Sequence, residues 1–282
     1  MSSALRTLVF DFDGTFTDIE AETVPFQPAM MSSVADLLNR DVREDWAREQ
    51  ARIEHAPEQH GWVFDGRVVA PATADPYLLG NAVMQAIFDG AAILRNPRTR
   101  TAITQALYTN AYEQTLTAFR DDALDVLEAA LSRANTHVYV VTNSDTQAVT
   151  RKLEKLLGPG TAQRVDVRGN AKKFWVVEPA IASERFNRVP EMQRVPQLVR
   201  PIYLRRGKYF EALHDIWERT KTTPEETLVC GDIYELDLAL PAALGATVAL
   251  APRRNTLAYE RDAVTKANGR VLATLSDVKA MW

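Results

Sequence analysis

An apolar run, Leu8-Val9-Phe10, leads directly into two aspartates one residue apart in the stretch "LVFDFDGTFTD". Side-by-side carboxylates at the end of a buried strand are costly unless a metal, hydrogen bonds or chemistry compensates. Gly14 and Thr15 follow at once, and this pairing lets the backbone bend tightly. Asp11 and Asp13 therefore read as charge that a strand delivers to the mouth of a reactive site. Three later segments carry comparable groups. "VVTNSD" offers Thr142, Asn143 and Ser144, "LVCGDIYELD" offers Asp232 and Asp237, and "RRGKYF" offers Lys208 at the start of a helix. The single cysteine, Cys230, ends an apolar run and reads as a small core residue rather than a reactive thiol.

The elements that must position these groups alternate. After Arg120, Asp121-Asp122 can cap a helix through about Ala134, and "HVYVV" reads as a strand. "TQAVTRKLEKLL" is a helix closed by Gly158-Pro159. "RVDVR" is a short strand, "KYFEALHDIWERT" a helix, "TLVC" and "TVAL" strands, and "RVLATLSDVKAMW" a last strand and helix. Such alternation predicts an α/β fold with a doubly wound, parallel, Rossmann-like sheet. In these sheets function sits beyond the carboxyl ends of the strands, where the candidate groups fall. From Pro28 to about Ala118 the texture differs: apolar residues recur at three- and four-residue spacing, as in helices. Within that stretch "WVFDGRVV" carries a hairpin signal at Asp65-Gly66. The predicted organisation is a discontinuous α/β core, residues 1–17 and 120–282, with an inserted, mainly α-helical domain over 18–119.

Composition narrows the function classes. Hydrophobic content of 46% and charged content of 25% belong to an ordinary globular protein. A net charge of -4 argues against a general nucleic-acid binder. One cysteine excludes an intrachain disulfide and fits a reducing compartment. No stretch approaches twenty apolar residues, so no membrane span is expected. The expectation is a soluble, cytoplasmic protein.

Together the four segments resemble the four motifs of the haloacid dehalogenase superfamily, most closely those of its Mg2+-dependent phosphatases. "DFDGTFTD" is similar to the first motif, "VVTNSD" to the second, Lys208 to the third and "GDIYELD" to the fourth. They stand in the family's order, and the helical stretch sits where the family inserts a cap. The resemblance implies that Asp11 is a nucleophile forming an aspartyl-phosphate and that Asp13 is its general acid and base. It implies Thr142, Asn143 and Lys208 for the phosphate. It also implies Mg2+ held by Asp11, the backbone of Asp13, and Asp232, with Asp237 supporting that shell. Lys172 and Lys173 lie nearer the second motif, but Lys208 begins the helix leading into "TLVC" and is preferred on that ground. The expected reaction is hydrolysis of a small phosphorylated molecule. A phosphomutase using the same residues, or a non-catalytic binding module on the same fold, are the alternatives.

One stretch exceeds what a strand-to-helix connection needs. From Asp166 to Arg206 it holds nine basic against four acidic residues, and Pro179, Pro190, Pro196 and Pro201 argue against one long helix. Two readings are open: a solvated excursion, or a segment whose Arg168, Lys172 or Lys173 meets a second anionic group on the substrate.

Overall fold

The computed structural model describes residues 4–282. The chain divides into two compact units: residues up to Thr17 with Phe119–Trp282, and Asp18–Ala118.

The first unit is built on one parallel sheet. Its strands are β1 (Thr7–Phe10), β2 (His137–Val141), β3 (Asp166–Arg168), β4 (Thr227–Gly231), β5 (Thr247–Leu250) and β6 (Arg270–Val271). Their spatial order is β6-β5-β4-β1-β2-β3. β1 is central, with Phe10 level with Val140 on one side and Cys230 on the other. Both faces of the sheet are covered, which is why its strands read as unbroken apolar runs. Side chains alternate across it. Val9, Val141, Val229 and Val248 enter one core cluster, whereas Leu8, Phe10, Val140 and Cys230 enter the other.

Asp122 does not cap the helix Ala123–Ser132 through its side chain; its carboxylate instead accepts from the Ser276 N–H at 2.8 Å. The helix Thr146–Leu157 starts on Asp145, whose side chain accepts from the N–H groups of Gln147 and Ala148. It stops at Gly158, where φ is 78°, a left-handed value a glycine takes without strain. The end of the chain turns as a 3₁₀ helix, Leu275–Met281.

The second unit carries four helices of eight residues or more: Phe26–Leu38, Arg43–Glu54, Pro76–Gly90 and Pro97–Tyr112. It also carries the hairpin Gly61–Phe64 with Arg67–Pro71, turned at Asp65 (φ 48°) and Gly66 (φ 72°). Phe26, Met30, Trp46, Met84 and Phe88 are buried in its own core. No helix among the described residues is long and apolar enough to cross a membrane.

The long connection after β3 is a docked segment rather than a solvated excursion. Phe186, Val195, Leu198, Ile202 and Leu204 are buried in the core cluster that also holds Trp217. A two-residue ribbon, Met192–Gln193 with Ile202–Tyr203, folds the segment back on itself. Several of its arginines are committed to partners. Arg200 grips the fully buried Glu235 with both terminal nitrogens at 2.7 Å, and Arg205 holds Glu178 and lies over the Phe186 ring. Removing one partner of a buried ion pair strands the other charge. Arg200→Met should therefore lower unfolding free energy by about 3–5 kcal/mol, read by urea denaturation against the wild type.

Candidate active site

The carboxyl ends of β1, β2, β3 and β4 bring the candidate residues to one edge of the first unit. Asp11 follows β1, and its backbone N–H donates to the Cys230 carbonyl of β4 at 2.8 Å. Its side chain faces an ammonium: Lys173 Nζ lies 2.7 Å from Asp11 Oδ1 and 2.9 Å from Asp237 Oδ1. Thr15 donates to the other oxygen, Oδ2, at 3.3 Å. Burial pushes the Asp11 carboxyl up to about 7; Lys173 pulls against this and the charge of Asp237 adds to it. Burial would discharge Lys173, but the charges of Asp11 and Asp237 outweigh it and hold the ammonium protonated. The lysine also lies 5.4 Å from the centre of the Tyr209 ring.

Lys173 comes from the loop after β3, and the site holds that loop at both ends of the residue. Asn143 Oδ1 accepts from the Lys173 N–H at 2.7 Å, and the fully buried Arg206 donates to the Lys173 carbonyl at 2.8 Å. The residues Asn170 and Lys172 adopt positive φ to bring the chain round. Motif four is shaped as tightly. Tyr234–Leu238 is one π-helical turn, and Asp237 Oδ2 accepts from the N–H of Ile233, the residue before that turn, at 2.9 Å.

One carboxylate oxygen from each of Asp11, Asp232 and Asp237 lies within 4.8 Å of the others. Asp232 is 1% exposed, and burial pushes its carboxyl well above the usual range although Arg253 opposes this. Its Oδ1 is buried without a hydrogen-bond partner. Three converging hard oxygens with one unanswered lone-pair donor suit an oxygen-liking divalent cation such as Mg2+. Two glycines permit the crowding. A Cβ at Gly14 (φ 81°) would stand 2.3 Å from Asp232 Oδ2, and one at Gly231 would stand 2.4 Å from the Asp237 Cβ.

Asp13 points its carboxylate elsewhere. Ser144 Oγ donates to its Oδ2 at 2.6 Å, and Lys152 Nζ, on the helix after β2, lies 3.1 Å from its Oδ1. Thr142 is 2% exposed and its hydroxyl accepts from the Ser144 N–H at 3.1 Å. The structure thus gathers Asp11, Thr142, Asn143, Asp232 and Asp237 at this edge, with Asp13 beside them. It does not bring in Lys208, which is correctly placed at the start of the helix Gly207–Thr220 but pairs with Glu211 at 2.8 Å. Lys173 stands where Lys208 was expected. The signal was present, because a short strand "RVDVR" in a parallel sheet must send its following loop, "GNAKK", to the same edge. Of the other two basic candidates, Arg168 pairs with Asp166 and Asp215. Ser144 stood among the groups of "VVTNSD", whereas Lys152 and Arg253 had no signal beyond their neighbours.

Known proteins resemble this chain in sequence profile and in fold. The sequence profile of haloacid dehalogenase-like hydrolases matches residues 5–245. None of the curated proteins matches in sequence. Among solved structures, the HAD-type hydrolase YfnB from Bacillus subtilis, bound to magnesium, superposes with a TM-score of 0.56 at 15% identity over 99% of both chains. A predicted phosphoglycolate phosphatase from Haemophilus somnus 129pt gives 0.59 at 12% identity over 100% of this chain and 99% of its own. A Thermotoga maritima protein assigned as a β-phosphoglucomutase gives 0.53 at 13% identity over 98% of each. At these identities the likeness concerns the fold.

Two measurements follow from the geometry. Lys173→Met should cut turnover at least about a thousandfold while Lys208→Met changes it less than about twofold, compared by kcat on one substrate with folding checked by circular dichroism. The second concerns pH. Asp11 ionises near 3.8 when unfolded and near 7 when folded, so the folded state loses stability as pH rises between those values and no further above them. In metal-free buffer, the gain in melting temperature of Asp11→Asn over wild type should be largest near pH 8 and shrink towards pH 4.

Proposed function

Because the chain belongs to the haloacid dehalogenase-like hydrolase family, we propose that it hydrolyses the phosphate monoester of a small molecule through a covalent aspartyl-phosphate, with Mg2+ as cofactor. The observation that carries this reading is the pair of carboxylates on one strand end in unlike surroundings. Asp11 is buried on Lys173 beside the acidic cluster, and Asp13 is held by the Ser144 hydroxyl from the loop after the neighbouring strand and by the Lys152 ammonium from the helix that follows. The first suits a nucleophile and the second a group that exchanges protons.

In this reading an Asp11 oxygen attacks phosphorus, the bond from phosphorus to the ester oxygen breaks, and Asp13 gives its proton to the departing alcohol. Asp13 then removes a proton from water as that water attacks the aspartyl-phosphate, which releases inorganic phosphate and restores Asp11. Lys173 holds Asp11 in place and offsets the charge that the nucleophile and phosphate share. The Thr142 hydroxyl and the backbone N–H groups near it take phosphoryl oxygens. Asp11, the backbone carbonyl of Asp13, and Asp232 would hold Mg2+, with Asp237 behind them. The chemistry a bound Mg2+ supplies is stabilisation of charge on the phosphoryl oxygens. Asp13 separates this reading from dehalogenation, which needs no acid at that position. The helical unit supplies substrate choice, since a fold by itself carries none.

The deciding experiment is a panel of small phosphate monoesters offered to purified protein with Mg2+ or with EDTA. At least one should release phosphate with Mg2+ and none with EDTA. Asp11→Asn should be inactive and Asp13→Asn slower by about two to four orders of magnitude. A folded protein silent on the whole panel, or an Asp11→Asn variant of near-normal activity, overturns the reading.

A further inference from the structure

Asp232 is met by a buried guanidinium. Arg253, 6% exposed, places Nε 3.2 Å from the Asp232 carbonyl oxygen and 3.3 Å from Asp232 Oδ2. A terminal nitrogen of Arg253 lies 3.2 Å from Glu260 Oε2. Glu260 is itself fixed, because it accepts from the N–H groups of Tyr234 and Leu257 and is fully buried. The guanidinium therefore engages Oδ2 and leaves Oδ1, the buried oxygen without a hydrogen-bond partner.

A positive charge this close is an odd companion for a cation ligand, since it repels the cation that the carboxylate would attract. It is also not alone. Lys173 holds Asp11 and Asp237, Lys152 holds Asp13, and the charge of Arg120, bound to the Gly14 carbonyl at 2.6 Å, reaches Asp232. Four cations (Arg120, Lys152, Lys173 and Arg253) thus stand against five carboxylates (Asp11, Asp13, Asp232, Asp237 and Glu260), one formal negative charge before anything binds. A divalent cation alone would turn this into an uncompensated positive charge in a buried space, which is unfavourable. A bound phosphate anion removes it.

We propose that Arg253 is a positioning residue that presents a single oxygen of Asp232 to the cation and, by its charge, makes tight cation binding depend on a bound anion. The inference rests on reading the site as a magnesium site. Its consequence is that cation and phosphate enter as a matched pair, so metal content follows substrate supply.

The test is calorimetric titration of the intact protein with Mg2+, with and without saturating inorganic phosphate. For the wild type, phosphate should tighten Mg2+ binding about tenfold or more, and Mg2+ should tighten phosphate by the same factor. Arg253→Gln keeps an amide donor and removes the charge. It should bind Mg2+ alone about tenfold or more tightly than wild type, with the phosphate effect reduced. Arg253→Lys should keep the wild-type pattern. A folded Arg253→Gln protein with wild-type Mg2+ affinity and an unchanged phosphate effect overturns the proposal. If the stranded Glu260 prevents folding, Arg253→Gln combined with Glu260→Gln is titrated instead and judged by the same outcomes. A wild-type protein that takes up no Mg2+ with or without phosphate fails differently: the magnesium reading itself is then wrong, and the inference falls with it.

Discussion

The Lys173 ammonium lies 2.7 Å from Asp11 and 2.9 Å from Asp237, 1% exposed. Two buried carboxylates this near each other repel, and a buried ammonium without them would lose its proton. Each is tenable because the other is there. The rest of the edge serves that contact. Asn143 from the β2 loop and Arg206 from the start of a helix hold the backbone of Lys173. Tyr209 lies beneath its charge and donates its hydroxyl to the Asp237 carbonyl. The π-turn then brings Asp237 back towards Ile233. Four strand ends are thereby tied through one residue, by its side chain and its backbone.

Much of the fold was legible because its signals are periodic. Continuous apolar runs alternating with helical patterns state a parallel sheet covered on both faces, and Asp65-Gly66 states a hairpin wherever two left-handed residues are needed. Asp11, Asp13, Asp232 and Asp237 were legible for another reason: carboxylates at the ends of buried strands have no inexpensive structural explanation. The lysine was not legible in the same way. Position in a helix favoured Lys208, but what selects the lysine is the path of a loop, set by two positive-φ residues and by contacts with Asn143 and Arg206.

Of the two readings of the segment between β3 and the Gly207–Thr220 helix, the solvated excursion fails, whereas Lys173 does reach the site, where it meets Asp11 and Asp237. The segment's surplus of arginines suggested solvent or substrate, but a charge count cannot see partners far along the chain. Arg185 meets Glu225 and Arg200 meets Glu235, 40 and 35 residues away. Lys152 and Arg253 were invisible on the same principle. A lysine on a helix face and an arginine after a strand look like solvated charges until the fold sets Asp13 and Asp232 beside them.

The strand order carries a consequence for how the molecule comes into being. β1 is made first, yet its two neighbours in the sheet are His137–Val141 and Thr227–Gly231. During synthesis the apolar Leu8-Val9-Phe10 must wait for more than two hundred residues before its second edge is covered. Pairing over such sequence separation is slow, because loop-closure entropy is lost before the contacts form. Until β4 emerges, an uncovered central strand is the segment of the chain most exposed to wrong partners. Asp11 meets Asp237 only when that wait ends, so the ability to react is among the last properties the growing chain acquires.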